Sequence, residues 1–475
     1  MSLPLVVDLD GTLIRSDILL EAILSYVKLN KDSFLKLPYW IMQGKVPLKE
    51  HLALKVPMDA AHLPYNENVL EFLKNERLEN RHLVLATASH RLNADQIAEY
   101  LGIFNQVIAT DGVINLSAKA KRDRLIAEFG EKGYDYVGNS HDDLPVWESA
   151  QKVYLADPDP GVHRKVRKTG NVEKVFISRG SILNSWIKAL RPYQWLKNLL
   201  IFIPLLASHQ FFNGSLIFHA VLAFSLFSLT ASSGYLINDL FDIDSDRRHP
   251  RKRFRQLASG ELPIQVGIVS APLLFLAAFS TSLLLMPIAF SIALVIYYAL
   301  TIVYSQFLKR MMVVDTIVLA GLYTIRVIAG SYACGLVPTF WILAFSMFLF
   351  LSLAMVKRYA ELLDARSKGE TEQTKGRGYF PGDLEIIANL GSSSGYLSVL
   401  VLALYIQDFR TVKMYHTPEL IWLACPILLY WISRVWMIAH RGKMHDDPVL
   451  FAIKDKASLL TGVLFATVFM LAMMI

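Results

Sequence analysis

The sequence predicts an α/β domain with a parallel sheet, followed by an all-α transmembrane domain. Residues 1–180 have the mixed composition of an ordinary globular domain. From residue 193 onward, apolar runs of about 17 to 22 residues recur, which is the length needed to cross about 30 Å of hydrocarbon. The whole chain of 475 residues is 53% hydrophobic with a mean hydropathy of +0.37. This composition is too apolar for a soluble protein of this size, so we expect domains at 1–180 and 181–475.

Short apolar runs in the N-terminal domain predict parallel strands, because buried parallel strands are nearly continuous hydrophobic stretches. They cover residues 3–7, 82–86 and 134–137. Polar residues follow each run, and the candidates are Asp8, Asp10, Thr87, Asn139 and Asp143. Open α/β sheets hold their ligands at the carboxyl ends of the strands, so we expect these side chains to meet at one edge of the sheet.

Two further features of this domain bear on that edge. Residues 12–80 predict a mainly helical insertion that closes over the crevice. Lys119 and Lys121 compete for the role of the cation at the site. We favour Lys121 because Leu125 follows it by four residues, as a helix that faces the sheet requires.

Nine apolar stretches predict transmembrane helices in the second domain. They lie at roughly 193–212, 216–237, 265–286, 288–307, 313–333, 339–356, 393–407, 419–438 and 457–475. Basic residues concentrate in the loops after the second, fourth, sixth and eighth stretches, which places those loops and the N-terminal domain on the cytoplasmic side. The start of the chain lacks the basic segment of a cleaved signal peptide. We therefore expect a multi-pass protein of the inner, cytoplasmic membrane.

An acidic motif ends the second predicted helix: Asn238, Asp239, Asp242 and Asp246. On a helix, residues four apart share a face, and like charges at that spacing repel each other. The repulsion indicates a bound cation. Basic residues follow at His249, Lys252, Arg253 and Arg255. Carboxylates beside lysine and arginine are what a Mg²⁺-diphosphate needs, because the metal bridges some of its oxygens and the cations bind the others.

A second polar cluster ends the sixth predicted helix. It contains Lys357, Arg358, Tyr359, Glu361 and Asp364, and Gly376-Arg377-Gly378-Tyr379 follows. A salt-bridged helix end is the alternative explanation. Arg326 lies inside the fifth predicted helix, where an arginine normally faces the bundle interior and pairs with an acid or a ligand. Asp315 on the same helix is a candidate partner.

The motif Asp8-Leu9-Asp10-Gly11-Thr12 and the later strand ends resemble the haloacid dehalogenase superfamily of phosphohydrolases over about 175 residues. The resemblance implies a Rossmann-like fold with a helical cap at about 12–80. It also implies that Asp8 is the nucleophile, Asp10 the acid/base, and that Thr87 and Lys121 bind the phosphoryl group. The implied Mg²⁺ residues are Asp8, Asp10, Asn139 and Asp143. The family usually has aspartate where Asn139 stands, so a retained fold with weak or no hydrolysis stays an alternative.

The membrane domain resembles the UbiA-type prenyltransferase superfamily over about 285 residues, and within it the decaprenyl-phosphate phosphoribosyltransferases. The matching segments are Arg191-Pro192-x-Gln194-Trp195-x-Lys197-Asn198, the acidic motif with its basic loop, and Lys357 to Leu362; Gln256 departs from the family pattern. The resemblance implies transfer of 5-phosphoribose from phosphoribosyl diphosphate to a polyprenyl phosphate lipid, with Mg²⁺ on Asp239, Asp242 and Asp246. The implied substrate-binding residues are Lys197, Asn198, Asn238, His249, Lys252, Arg253, Arg255, Arg326, Lys357, Arg358, Tyr359, Glu361 and Tyr379.

The pairing of domains suggests that the N-terminal domain removes the 5-phosphate from the lipid product, a step in making a cell-wall or glycolipid precursor. Prenyl transfer from a polyprenyl diphosphate to an aromatic or polar acceptor is the nearest alternative. A transporter and a phosphatase with a passive membrane anchor are alternatives of other classes. The net charge of +7 follows the membrane topology, and no nucleic-acid motif accompanies it. The sequence leaves open whether the protein forms a homo-oligomer.

Overall fold

The computed structural model describes residues 2–30, 32–112, 114–169, 172–210, 212–369, 371–373, 377–444 and 447–475. Gly376 of the second polar cluster lies outside this set. The described chain divides into two compact units. The first contains Met1–Leu190 and Tyr235–Ser270, and the second contains Arg191–Gly234 and Ala271–Ile475. The acidic motif and its basic loop therefore belong to the same unit as the N-terminal domain.

Within the described residues, the first unit contains a six-stranded sheet of order β3-β2-β1-β4-β5-β6 in which every pairing is parallel. The strands are β1 Leu5–Val7, β2 Leu83–His90, β3 Gln106–Thr110, β4 Asp135–Gly138, β5 Val153–Ala156 and β6 Val172–Phe176. Val7 pairs with Leu85 on one side and with Val137 on the other. The predicted strands are confirmed as β1, β2 and β4. Strands β3, β5 and β6 were not predicted: charged residues interrupt the apolar pattern of β6, and β5 is only 4 residues long.

Helices cover both faces of this sheet and fill the predicted insertion. Those of the first unit before the membrane are α1 Ile18–Leu29, α2 Ser33–Gln43, α3 Lys45–Lys55, α4 Glu67–Leu78, α5 Arg91–Leu101, α6 Ala118–Phe129, α7 Leu144–Ser149, α8 Val162–Thr169 and α9 Ile182–Ala189. Helix α1 begins at Asp17, whose carboxylate accepts the backbone N–H of Leu20 at 3.0 Å. Tyr26 and Trp40 lie 5.0 Å apart between α1 and α2. With Leu48 and Leu52 of α3 they form a small core of the insertion's own.

Long apolar helices make up most of the remaining chain. The later helices are α10 Ile203–Ala207, α11 Gly214–Phe241, α12 Ile243–Arg248, α13 Ile264–Leu285, α14 Ile288–Gln306, α15 Val314–Ala333, α16 Phe340–Ser367, α17 Leu384–Ile406, α18 Phe409–Val412, α19 Ala424–His440, α20 Pro448–Lys454 and α21 Lys456–Met474. Eight helices in the described part of the chain are long and apolar enough to cross a membrane. The predicted stretch 193–212 instead forms a 3₁₀ helix, Pro192–Phe202, followed by the short α10. The protein is an integral, multi-pass membrane protein.

Close backbone contact fixes α15 in the second unit. A methyl group placed on Gly330 of α15 would lie 2.1 Å from the carbonyl oxygen of Ile201, which belongs to the 3₁₀ helix. Gly321, on the same helix, has open space around the corresponding position. Of these two glycines, only Gly330 lies where packing leaves no room for a larger side chain.

We expect Gly330→Ala to destabilise the protein by about 1 to 3 kcal/mol, because the added methyl group must push backbone apart. Gly321→Ala is the matched control, and we expect it to be neutral or stabilising by up to about 1 kcal/mol, since alanine favours helix. Thermal unfolding of both variants in detergent measures the difference. Equal melting temperatures for the two variants would contradict this packing argument.

Candidate active sites

The first candidate site lies at the carboxyl ends of β1 and β4. Asp8 directly follows β1, and the Lys121 ammonium donates to its Oδ1 at 2.7 Å. The same ammonium lies 3.5 Å from Oδ1 of Asp143. Tyr136 on β4 accepts a hydrogen bond from Lys121 at 2.9 Å and donates to Asp143 at 2.7 Å. Lys119 is exposed, whereas Lys121 is the lysine of this helix that contacts Asp8.

The loop after β4 shapes the rest of this site. Oδ2 of Asp143 accepts the backbone N–H groups of Asn139 and Ser140, each at 3.0 Å. The side-chain oxygen of Asn139 accepts the Thr12 hydroxyl at 3.2 Å. Gly11 has φ +77°, and a methyl group there would lie 2.4 Å from Nδ2 of Asn139. Glycine is therefore required for the turn after Asp10 to approach Asn139.

Burial controls the protonation of the two aspartates at β1. It raises the pKa of Asp8 to about 6, although the Lys121 ammonium opposes the shift. Burial, reinforced by the negative charge of Asp17, raises the pKa of Asp10 to about 7. Oδ1 of Asp10 accepts the N–H of Ile18 at 2.9 Å and Oδ2 accepts the Ser89 hydroxyl at 2.6 Å. A carboxyl group with a pKa near neutrality can both donate and accept a proton, as an acid/base must.

Sequence reasoning missed several polar residues of this site. Ser89 follows Thr87 on β2, and its backbone N–H donates to the Thr87 hydroxyl at 2.9 Å. Lys49 comes from α3 of the insertion and donates to Ala88 O at 2.5 Å and to Asn115 at 2.7 Å. Burial lowers the pKa of Lys49. Ser89 could have been found as a polar residue at the same strand end, whereas no local pattern marks Lys49.

A groove runs along α1 between the insertion and α12. Its lining consists of Ile18, Glu21, Ala22, Ser25, Val56, Pro57, Met58, Asp59, His62, Leu63, Asn93, Asp244, Arg247 and Arg248. A recess beside Ser89 and Lys49 shares Ile18, Ala22 and Asn93 with this groove. The groove therefore joins the surroundings of Asp10 to the basic residues that follow the acidic motif.

The second candidate site lies at the end of α11. This helix stops at Phe241 and α12 starts at Ile243, so the acidic motif is not on one uninterrupted helix. Backbone bonds from Asp242 N to Asn238 O (3.0 Å) and from Asp246 N to Asp242 O (2.8 Å) keep the four-residue spacing across the break. Nη1 of Arg255 lies 3.1 Å from Asp239 Oδ1 and 2.7 Å from Asp246 Oδ2. Two of the three predicted metal ligands thus converge on one cationic nitrogen.

This arrangement fits a divalent cation with a limited number of protein ligands. No group of three or more His, Cys, Asp or Glu side chains within the described ranges is placed to hold a metal. Mg²⁺ commonly takes one or two carboxylates and completes its shell with water and substrate phosphates. Asp239 and Asp246 would supply those carboxylates. The third predicted ligand, Asp242, pairs with Lys28 at 2.9 Å.

The other predicted residues around the motif lie near the surface. Asn238 is half-buried, whereas His249, Lys252 and Arg253 are exposed. His249 Nδ1 accepts the backbone N–H groups of Arg251 at 3.2 Å and of Lys252 at 3.3 Å. The basic loop therefore keeps exposed cations next to the acidic motif.

A third cluster lies within the second unit and is centred on Asp447. Its carboxylate accepts hydrogen bonds from Lys197 at 2.8 Å, from Lys357 at 3.2 Å and from Tyr323 at 3.0 Å. Lys197 and Lys357 were predicted to bind substrate, whereas Asp447 was missed. Its only local signal is that it caps α20 by accepting the N–H of Val449. Asp447 brings together two lysines that are 160 residues apart in the chain.

Arg326 is buried inside the second unit, as predicted, but the suggested partner Asp315 was wrong. Nε of Arg326 donates to Asn198 at 2.9 Å and Nη2 donates to Tyr297 at 3.0 Å. Its guanidinium lies 4.8 Å from the centroid of the Tyr297 ring. An amide and an aromatic hydroxyl from other helices replace the expected carboxylate. Sequence spacing on α15 could not reveal these partners.

Asp315 pairs instead with Arg358 at 2.8 Å and accepts the Tyr379 hydroxyl at 2.6 Å. Arg358 also pairs with Glu361, and its side chain is 1% exposed. Tyr359 lies 2.9 Å from His440. The contacts of Arg358 and Tyr379 hold the end of α16 in place. The Lys357 side chain is 30% exposed, whereas the Arg358 side chain is 1% exposed.

Comparison with known proteins identifies two families along the chain. Residues 199–460 match the UbiA prenyltransferase family. The chain belongs to the UbiA prenyltransferase family. Residues 5–148 match the haloacid dehalogenase-like hydrolases. The protein is therefore a UbiA-type enzyme with a haloacid dehalogenase-like domain at its N-terminus.

Some relatives of this UbiA-family chain match nearly all of it, and others match only about half of it. Uncharacterized protein y4nM of Sinorhizobium fredii is 35% identical over 480 residues, which is 99% of this chain and 91% of that protein. Nodulation protein NoeC of Azorhizobium caulinodans is 36% identical and covers 60% of this chain and 93% of its own. A decaprenyl-phosphate phosphoribosyltransferase of Corynebacterium glutamicum is 33% identical and covers 46% of this chain and 67% of its own. The similarity to one relative thus extends over both matched regions of this chain and 91% of that protein.

We expect Lys121→Met to lower phosphate release from a phosphomonoester by at least about 100-fold, because it removes the ammonium that contacts Asp8 and leaves two carboxylates facing each other. Lys119→Met is the matched control on the same helix and should retain the activity of the unmodified chain. Inorganic phosphate released by the full-length protein is the measurement. Equal losses in the two variants would rule out a specific role for Lys121.

Proposed function

We propose that the membrane domain transfers 5-phosphoribose from phosphoribosyl diphosphate to a decaprenyl-type polyprenyl phosphate. The similarity of this UbiA-family chain to decaprenyl-phosphate phosphoribosyltransferases carries the proposal. The convergence of Asp239 and Asp246 on one cationic nitrogen supports it, since a diphosphate donor needs a divalent cation held by carboxylates. We place the acidic motif and the N-terminal domain on the cytoplasmic side, where charged donors are available.

In the proposed transfer, the bond between ribose C1 and the diphosphate oxygen breaks, and a bond from C1 to a lipid phosphate oxygen forms. Bound Mg²⁺ would stabilise the negative charge on the departing diphosphate. Asp239 and Asp246 would hold the cation, and Arg255 and the exposed Lys252 would bind diphosphate oxygens. Within the second unit, Lys197 and Lys357 beside Asp447 are the candidates for binding a phosphate. The lipid phosphate is already an anion, so the attack requires no general base.

The N-terminal domain then removes the 5-phosphate of the lipid-linked ribose. Asp8 attacks the phosphorus, and Asp10, whose pKa burial raises to about 7, gives its proton to the departing 5-oxygen. Asp10 afterwards accepts a proton from the water that releases phosphate. Lys121 and Thr87 bind the phosphoryl oxygens, and Asp8, Asn139 and Asp143 would hold a Mg²⁺ that offsets the charge of the phosphate. Asn139 is neutral, so Asp143 supplies the negative charge at that end of the site.

Joining the two activities in one chain has a kinetic reason. The product of transfer stays in the membrane and carries the phosphate that the N-terminal domain would hydrolyse. A tethered hydrolase meets that product at a high effective concentration. The groove along α1, which joins the surroundings of Asp10 to Arg247 and Arg248, supports delivery of a phosphorylated headgroup.

Labelled donors test the transfer reaction. Membranes that contain the protein should move label from phosphoribosyl diphosphate, and not from a prenyl diphosphate, into the lipid fraction. Asp246→Asn or chelation of Mg²⁺ should lower this transfer by at least about 100-fold, since charge on the leaving group is no longer stabilised. Asp364→Asn is the control, because this carboxylate is exposed on α16 and pairs only locally with Lys368. Label taken up from the prenyl diphosphate alone would favour the rival prenyl transfer.

The fate of the 5-phosphate tests the second activity. We expect Asp8→Asn to accumulate lipid-linked 5-phosphoribose, since this variant lacks the nucleophile, whereas the unmodified chain accumulates the dephosphorylated lipid. Mass spectrometry of extracted lipids separates the two products. A phosphorylated lipid that persists in the unmodified chain with Mg²⁺ would show that the domain does not act on this product.

A further inference from the structure

A lysine of the N-terminal domain contacts the acidic motif directly. The Lys28 ammonium, on the last turn of α1, donates to the backbone oxygen of Phe241 at 2.7 Å and to Asp242 Oδ1 at 2.9 Å. Phe241 is the last residue of α11, whose terminal carbonyl groups attract a cation. Lys28 therefore neutralises Asp242 and the end of the helix together.

Several contacts hold Lys28 in this place. Arg247 on α12 makes two bonds to the Glu21 carboxylate, at 2.8 and 2.6 Å, and its side chain is 5% exposed. Ser25 donates to Asp244 at 2.8 Å. Glu21, Ser25 and Lys28 are spaced by four and three residues, so they lie on the same face of α1. A whole helix face is thus fitted to α12, and Lys28 is not an isolated surface pair.

A second contact prevents this face from sliding. Gly260 has φ +74°, and a methyl group there would lie 2.5 Å from the Arg15 side chain and 2.7 Å from its backbone oxygen. Arg15 also pairs with Glu261 at 3.0 Å. The chain after α12 is therefore fitted to the start of the insertion, and the chain before α12 is bonded to the end of α1 through Lys28.

Charge balance indicates what Lys28 does when ligand arrives. Asp239, Asp242 and Asp246 carry three negative charges; Arg255 compensates the first and last, and Lys28 compensates the second. A divalent cation held by Asp239 and Asp246 would replace the compensation that Arg255 provides. Arg255, and Lys28 on the neighbouring Asp242, would then lie beside the oxygens of a diphosphate bound to the cation. Lysine suits this exchange, because its ammonium is a compact charge on a flexible stem.

We propose that Lys28 is a diphosphate-binding residue of the transferase site, supplied by the N-terminal domain. This assignment rests on the proposed function for the identity of the ligand, an inorganic or sugar-linked diphosphate with Mg²⁺. The haloacid dehalogenase-like domain then completes the neighbouring site in addition to acting on its product. An ion pair without this role would contribute nothing to ligand binding.

Calorimetric titration of the full-length protein with inorganic pyrophosphate in saturating Mg²⁺ tests the assignment. We expect Lys28→Met, which keeps the apolar stem, to weaken pyrophosphate binding by about 10-fold or more, the size of one lost charge-assisted hydrogen bond. Lys28→Arg should restore part of the affinity. Lys36→Met is the matched control, since Lys36 lies on α2 and pairs only with Asp32. It should bind as the unmodified chain does.

The outcomes separate this proposal from the proposed function. Unchanged affinity in Lys28→Met, with binding lost in Asp246→Asn, would overturn the role of Lys28 and leave the transferase function standing. No binding by the unmodified protein would overturn both. If the Lys28→Met variant has a much lower melting temperature than Lys28→Arg, the pyrophosphate affinity of the arginine variant decides the question. An affinity higher than that of the methionine variant supports a binding role for the cation at position 28. An affinity as low as that of the methionine variant would overturn this role.

Discussion

Carboxylates gathered around a single cationic nitrogen are the interaction on which both sites of the first unit depend. Asp8 and Asp143 face the Lys121 ammonium, and Asp239 and Asp246 face Nη1 of Arg255. Two buried carboxylates cannot both stay ionised without such a partner. The partner allows them to lie close together. In each site, two carboxylates thus share one cationic nitrogen.

The second unit also contains charged side chains, and there the surroundings are apolar. Polar groups inside a membrane domain need partners within the protein, because no water is present to hydrate them. Arg326 donates to Asn198 and Tyr297, while Arg358 forms ion pairs with Asp315 and Glu361. The bonds of Arg326 and the Arg358–Asp315 pair connect different helices, so they fix the helix arrangement as well as the charges. Lys197 and Lys357 share the carboxylate of Asp447.

Helix α1 connects the two sites of the first unit. Its first N–H group holds Asp10, and Lys28 near its other end holds Asp242. Ten residues of helix separate these contacts, a length of about 15 Å. The aspartate that is proposed to move protons in one reaction and an aspartate of the other motif are therefore attached to the same rigid element. This arrangement gives the fusion of domains a structural role beyond keeping two enzymes together.

The sequence by itself determined the class of each domain, strands β1, β2 and β4, the cap and most of the apolar helices, because these depend on periodicity and length within one segment. It also determined that Lys121, rather than Lys119, faces Asp8, since the four-residue spacing to Leu125 is local. Only the tertiary structure decided the partners of Arg326, Asp315 and Asp447, and the break of the acidic motif at Asp242. Ion pairs depend on the distance between side chains in the folded protein. Residues more than 100 positions apart, such as Lys28 and Asp242, share no local sequence pattern that predicts their contact.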